Sequence, residues 1–149
     1  MTIDPRTLTE AGERMTQGTP QSASLGIRLV SVEPGVAAMA VTYRDDLVGD
    51  PATGVLAGGV ITTLLDHVCG LAVASAAGPV HSTATLDLRI DYMRAAEPGR
   101  DITARAHCYK LTHTIAFVRA AAFEDDPDDP IATAQAAFVR AGAAPKPAA

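Results

Sequence analysis

The segment Gly54–Gly70 reads GVLAGGVITTLLDHVCG and carries one carboxylate, Asp66, eight residues after the first of two adjacent glycines, Gly58 and Gly59. That spacing joins two groups that acyl transfer requires. The first turn of a helix has N–H groups without intrahelical acceptors and a partial positive charge. Glycines there leave that end bare, so a substrate oxygen can come close, and one donor aimed at a developing oxyanion contributes roughly 2.7–4 kcal/mol. Asp66 supplies the other group, able to attack a carbonyl carbon or to activate water. The bland alternative is an Asp66 satisfied locally by Thr62, Thr63 or His67.

These residues need a helix to hold them, and the spacing predicts one from about Gly58 to Ala77, ended by Gly78-Pro79. At roughly 100° per residue, Val60, Ile61, Leu64, Leu65, Val68, Leu71 and Ala72 form one arc, the expected core face. Gly59, Thr62, Thr63, Asp66, Cys69, Gly70 and Val73 form the other. That second arc has no Lys, Glu or Gln, so it is expected to be covered. A covered carboxylate costs free energy unless it is hydrogen-bonded or neutralised.

Around this helix the chain reads mainly as strands. Residues 4–17 form a short helix with Asp4 as cap and Pro5 in its first turn, and TQGTPQSAS is a connector. LGIRLVSVEPG and VAAMAVTY make a hairpin, and residues 44–57 are a loop. STATLDLRIDYM alternates Leu86, Leu88, Ile90 and Tyr92 against Thr85, Asp87, Arg89 and Asp91. ITARAHCYKL, TIAFVRAAAFE and, after the acidic turn DDPDDP, IATAQAAFVRAG follow as strands. One long helix among five to six antiparallel strands is an α+β fold, a sheet wrapped round a central helix. The division is an N-terminal helix and connector (1–24), one domain (25–142) and a disordered tail (143–149).

The 149 residues suffice for one domain with a real core, and 48% hydrophobic with 19% charged content is globular. A net charge of −5 with no basic cluster argues against a nucleic-acid surface. The start MTIDPRTLTE shows no secretory signal, so the cytoplasm is expected, with Cys69 and Cys108 as reduced thiols. His67, His81, His107 and His113 lack metal-ligand spacing, and no metal is expected. GVLAGG lacks the Lys-Ser/Thr of a phosphate loop. The central helix is not read as a membrane span, because Asp66, His67 and glycines interrupt it.

LGIRLVSVEPGVAAMAV, GVLAGGVITTLLDHVCG and TLDLRIDYMRAAEPG, taken in order, resemble the hotdog-fold acyl-CoA thioesterases of the phenylacetate-degradation type, over roughly residues 25–140. The resemblance implies a hotdog fold and a homodimer, or a tetramer built as a dimer of dimers, acting on an acyl-CoA. Coenzyme A enters only as part of the substrate, and no cofactor is implied. The Gly58 N–H would polarise the thioester carbonyl. Asp66, from the opposite subunit, would be nucleophile or general base, and Thr85 would stand near the attacking water or the thioester. Gly59, Thr62, Gly70 and His113 are the further substrate-binding candidates. Arg94 and Arg100, which flank a turn, are the candidates for the coenzyme A phosphates.

The chain also departs from that pattern. Ala57 stands where the family usually has His, Pro51 where an Asn is common, and Thr112-His113 where Gly and a basic residue are frequent. A slow thioesterase, one of different acyl preference, a non-catalytic acyl-CoA-binding relative and a ligand-free structural oligomer therefore stay open. A hydratase is disfavoured, because GDPATGVLAGG offers Asp50 without a nearby His.

Overall fold

An apolar helix with one polar strip needs a concave surface to bury it, and the strands supply that surface. The computed structural model describes residues 4–76 and 82–141. The expected helix stop at Gly78-Pro79, His81 and the tail 143–149 lie outside those residues. Helix α1 (Pro5–Gln17) starts where the Asp4 carboxylate accepts the Arg6 N–H at 2.9 Å. Helix α2 (Pro20–Leu25) occupies the segment expected as a plain connector. Pro20 at its first position suits a helix start, and Gly26, at φ 70°, closes it. Strands β1 (Ile27–Glu33) and β2 (Val36–Val41) form the expected hairpin.

The loop expected over residues 44–57 is instead a 3-10 turn (Asp45–Leu47) and a small hairpin of β3 (Val48–Asp50) and β4 (Val55–Leu56). Helix α3 (Gly58–Ala76) follows, then β5 (Ser82–Tyr92), β6 (Ile102–Leu111), β7 (Ile115–Phe123) and β8 (Ala132–Ala141). The six long strands pair antiparallel in the order β1-β2-β6-β7-β8-β5. This is the expected α+β architecture, a six-stranded sheet round one long helix.

The inner face of the sheet is built largely from alanine. Ala104 and Ala106 on β6, Ala116 and Ala122 on β7, and Ala132, Ala134 and Ala136 on β8 alternate toward the core. Small side chains let the strand backbones approach α3 closely, so Leu64, Leu65 and Val68 are sealed with few aromatic residues in the protein. By length and composition α3 is apolar enough to cross a bilayer, and its burial under the sheet accounts for that composition.

The structure sharpens two sequence expectations about faces. The arc of Cys69, Gly70 and Val73 is covered, as expected, and the chain itself covers it. A Cβ placed on Gly70 would touch Met15 of α1 and Phe138 of β8, each at 3.6 Å. The His67 ring Nε2–H donates to the Met15 carbonyl at 2.6 Å and ties α1 to α3. Gly70 thus sits in packing, out of reach of a substrate. In β5 the alternation is not strict. Thr85 lies opposite Phe138 and Asp87 opposite Ala137, with Leu86 as the extra residue of a β-bulge and 60% exposed.

At the end of the sheet where β7 turns into β8, the Arg94 guanidinium donates to both Glu124 carboxylate oxygens, at 3.1 and 2.5 Å, and to Asp129. The Glu97 N–H also donates to Glu124, whose side chain is only 5% exposed. Burial pushes the Glu124 carboxyl up, but the Arg94 and Glu97 bonds outweigh it and hold the group below the ordinary glutamate range. A depressed native value stabilises the fold above the unfolded value, about 4.3, and the gain is lost as pH falls through the native value. Glu124→Gln is expected to cost about 1–3 kcal/mol at pH 7. It should also flatten the loss of stability below about pH 4. Urea midpoints measured from pH 7 to pH 3 for both proteins check this, and parallel curves would refute it.

Candidate active site

The start of α3 is set by the small hairpin before it. The Ala57 N–H donates to the Leu47 carbonyl at 2.9 Å. Gly49 passes so close that a Cβ there would lie 2.7 Å from the Ala57 Cα. Gly54 takes φ 77° in the turn, and the Tyr43 hydroxyl donates to its carbonyl at 2.9 Å. The chain therefore enters α3 in one orientation. In the first turn the Val60 N–H returns to the Ala57 carbonyl at 3.1 Å. The Gly58 and Gly59 N–H groups have no acceptor among the described residues, and both glycines are exposed. Beside Gly59 a Cβ would meet nothing within 4 Å.

Asp66 lies two turns further along the same helix and is half-buried. None of its local candidates satisfies it. The Thr62 and Thr63 hydroxyls donate to the carbonyls four residues back, at 3.1 and 2.9 Å, and His67 is engaged by Met15. Its partner is Thr85 of β5, whose hydroxyl donates to Asp66 Oδ1 at 2.8 Å. Directly opposed residues in an antiparallel pair share a face. The bulge at Leu86 therefore puts Thr85 on the helix side with Phe138, whereas unbroken alternation would have turned it outward with Asp87. A second cluster forms at the helix start. The Tyr92 hydroxyl donates to the Gly58 carbonyl at 2.8 Å and lies 2.8 Å from Thr62 Oγ1.

The sequence profile of the thioesterase superfamily matches residues 53–131, more than half of the chain and the whole of α3 and β5. The chain belongs to the thioesterase superfamily. Its similarity to the medium/long-chain acyl-CoA thioesterase YigI of Salmonella typhimurium is 28% identity, over 77% of this chain and 82% of that protein. A crystal structure of a Pseudomonas aeruginosa protein superposes with TM-score 0.82 at 36% identity, covering 90% of this chain and 99% of that one. The Escherichia coli PaaI protein of the phenylacetic acid degradation operon shares the fold, with TM-score 0.80 at 17% identity over 93% and 97%. The resemblance read from the sequence, to hotdog thioesterases of the phenylacetate-degradation type, is thus established.

Within this thioesterase-superfamily chain the remaining sequence-predicted residues fall in different places. Gly58, Gly59 and Thr62 meet at the α3 start, and Asp66 meets Thr85. His113 is exposed in the β6–β7 turn, at the opposite end of the sheet from Gly58. Arg94 and Arg100 are committed to the chain's own carboxylates. Arg94 holds Glu124 and Asp129, and Arg100 holds Glu97 at 2.8 Å and Asp125. With Asp101, Asp126 and Asp128 also in these two turns, the local charge is negative and unsuited to a phosphate. Sequence reasoning missed Tyr92 as a site residue. Its phase with Leu88 and Ile90 on β5 was the available signal that it faces the helix. Among the described residues no three His, Cys, Asp or Glu side chains converge as a metal site would require.

Cys69 lies on α3 one turn beyond Asp66. Burial first, then the charges of Asp66 and Cys108, push its thiol up to about 12. Burial also raises the half-buried Cys108. Because the thiolate is the reacting form, Ellman's reagent at pH 8 is expected to modify at most one of the two thiols in the native protein, slowly, with Cys69 reacting only in denaturant. Rapid reaction of both native thiols would contradict this.

Proposed function

We propose that this chain is an acyl-CoA thioesterase, working as a homodimer. The observation that carries the reading is the Asp66 carboxylate, held by Thr85 and left on the uncovered strip of an apolar helix that begins with free amides. At 1.5 Å per residue, Gly58 and Asp66 of one helix are separated by ~12 Å. A single reacting carbonyl must lie about 3 Å from both oxyanion donor and attacking group, so the pair has to come from two copies. Strand β5 is suited to bring them together. It is the edge of the sheet, eleven residues long, with Leu86, Tyr92 and Met93 at or near it 60%, 50% and 58% exposed. A bare edge of that kind pairs with another strand. Antiparallel pairing about a two-fold axis would set the start of each α3 toward the middle of the other.

In this reading the thioester oxygen sits on the Gly58 N–H, with the free Gly59 N–H as a second donor beside it, and water is activated by Asp66 of the partner subunit. The Thr85 hydroxyl occupies Asp66 Oδ1, which leaves Oδ2 to take the proton from water. The water oxygen bonds to the carbonyl carbon, the tetrahedral oxyanion is held by the helix amides, and the C–S bond breaks as the proton held by Asp66 passes to the departing sulfur, releasing coenzyme A and the acid. Direct attack by Asp66 would pass instead through a mixed anhydride, which single turnover in labelled water distinguishes. No cofactor is needed. Two free thiols suit a reducing compartment, consistent with the cytoplasm. The competing reading, a non-catalytic acyl-CoA-binding protein, is favoured by Ala57, which offers only backbone and a methyl group where the family usually carries an imidazole.

On a panel of aryl-, medium- and long-chain acyl-CoAs, wild type is expected to turn over at least one ester. Asp66→Asn should lower kcat by roughly 10²–10⁴-fold. Sedimentation equilibrium should give at least twice the 15.4 kDa chain mass. Full activity in Asp66→Asn would eliminate the assigned role, and tight binding of the esters without turnover would favour the binding protein.

A further inference from the structure

The contacts at the start of α3 include one side chain that the proposed chemistry has not used. We infer that Tyr92 is a positioning residue for the oxyanion site, fixing and polarising the peptide between Gly58 and Gly59. The inference rests on the thioesterase reading and adds to it a residue from a separate element.

Three oxygens make a closed triangle there. The Tyr92 hydroxyl is 2.8 Å from the Gly58 carbonyl and 2.8 Å from Thr62 Oγ1, and Thr62 Oγ1 is 3.1 Å from the same carbonyl. Two hydroxyl protons serve the three edges. Both hydroxyls can donate to the carbonyl, or one donates to the other hydroxyl and that one to the carbonyl. In every arrangement the carbonyl of Gly58 accepts a side-chain proton besides its place in the helix. The N–H on the other side of that peptide belongs to Gly59, which has no acceptor in the chain and open space beside it. Withdrawing electron density through the carbonyl makes the N–H of the same peptide a stronger donor. It also prevents the peptide plane from rocking, at a helix end that glycines would otherwise leave loose. Tyr92 reaches this place because it is the last residue of β5, in phase with Leu88 and Ile90, while Thr85 at the other end of the strand holds Asp66. One strand thus braces both halves of the proposed chemistry.

The test compares Tyr92→Phe and Thr62→Val with wild type, using the best ester of the panel. Tyr92→Phe is expected to lower kcat roughly three- to tenfold, the scale of one neutral hydrogen bond, with KM little changed and the melting temperature retained. Thr62→Val should lower kcat less, and the double variant should lose less than the product of the two. The amide-proton resonance of Gly59 should move upfield in Tyr92→Phe, whether or not turnover can be measured. An unchanged kcat and an unmoved Gly59 resonance in Tyr92→Phe would overturn the role of Tyr92. Asp66→Asn in the same assay keeps the two ideas apart. Loss of turnover there, with Tyr92→Phe at full rate, removes only Tyr92, whereas full rate in Asp66→Asn removes the thioesterase mechanism itself.

Discussion

Burial of α3 is the constraint on which the rest depends. A nineteen-residue helix that carries Val, Ile and Leu along one side and small residues along the other cannot stand in water. The sheet meets that demand by presenting alanine on alternate positions of β6, β7 and β8, so the strands curve tightly round the helix instead of standing off on bulky side chains. Helix α1 then closes the second half of α3 through Met15. What stays open is the short strip from Gly58 to Asp66, flanked by the two ends of β5. The location of the candidate site follows from this: it is the part of the helix that neither the sheet nor α1 covers.

How much of this was legible depends on which physical signal each residue carried. The period of α3 and the alternation of β6 to β8 persist over many residues, so the fold class and a sheet of five to six strands could be read directly. The pairing of free helix amides with a lone carboxylate was also visible, since both lie on one segment. Other features depend on contacts between distant segments. Nothing local marks Leu86 as a bulge, and strict alternation would have assigned Thr85 to the wrong face. Gly70 looked available because the wheel places it beside Asp66, yet α1, from more than fifty residues earlier, lies over it. Arg94 and Arg100 looked like free cations, but the carboxylates that neutralise them come largely from the β7–β8 turn.

The acidic turn has a structural part that its composition hides. DDPDDP reads as a solvated loop, and most of its carboxylates are indeed exposed. The preceding Glu124 is enclosed and gathers Arg94 and the Glu97 amide, fastening the segment after β5 to the end of β7. That fastening lies just beyond Tyr92, so the strand that carries Tyr92 is anchored close to the helix start. Fixing of the amides, the carboxylate partner and the turn network are linked through this one strand.

The extra residue in β5 gives that strand two independent frames. On both sides each residue shares the face of its β8 partner, so odd-numbered positions look outward from Asp87 onward and inward at Thr85. A single inserted amino acid has thus swapped which residue looks inward, without altering the hydrogen-bonded ladder on either side. Were the extra residue on the other side of Thr85, Leu86 would stand opposite Phe138, and Asp66 would face a methyl-tipped side chain in place of a hydroxyl.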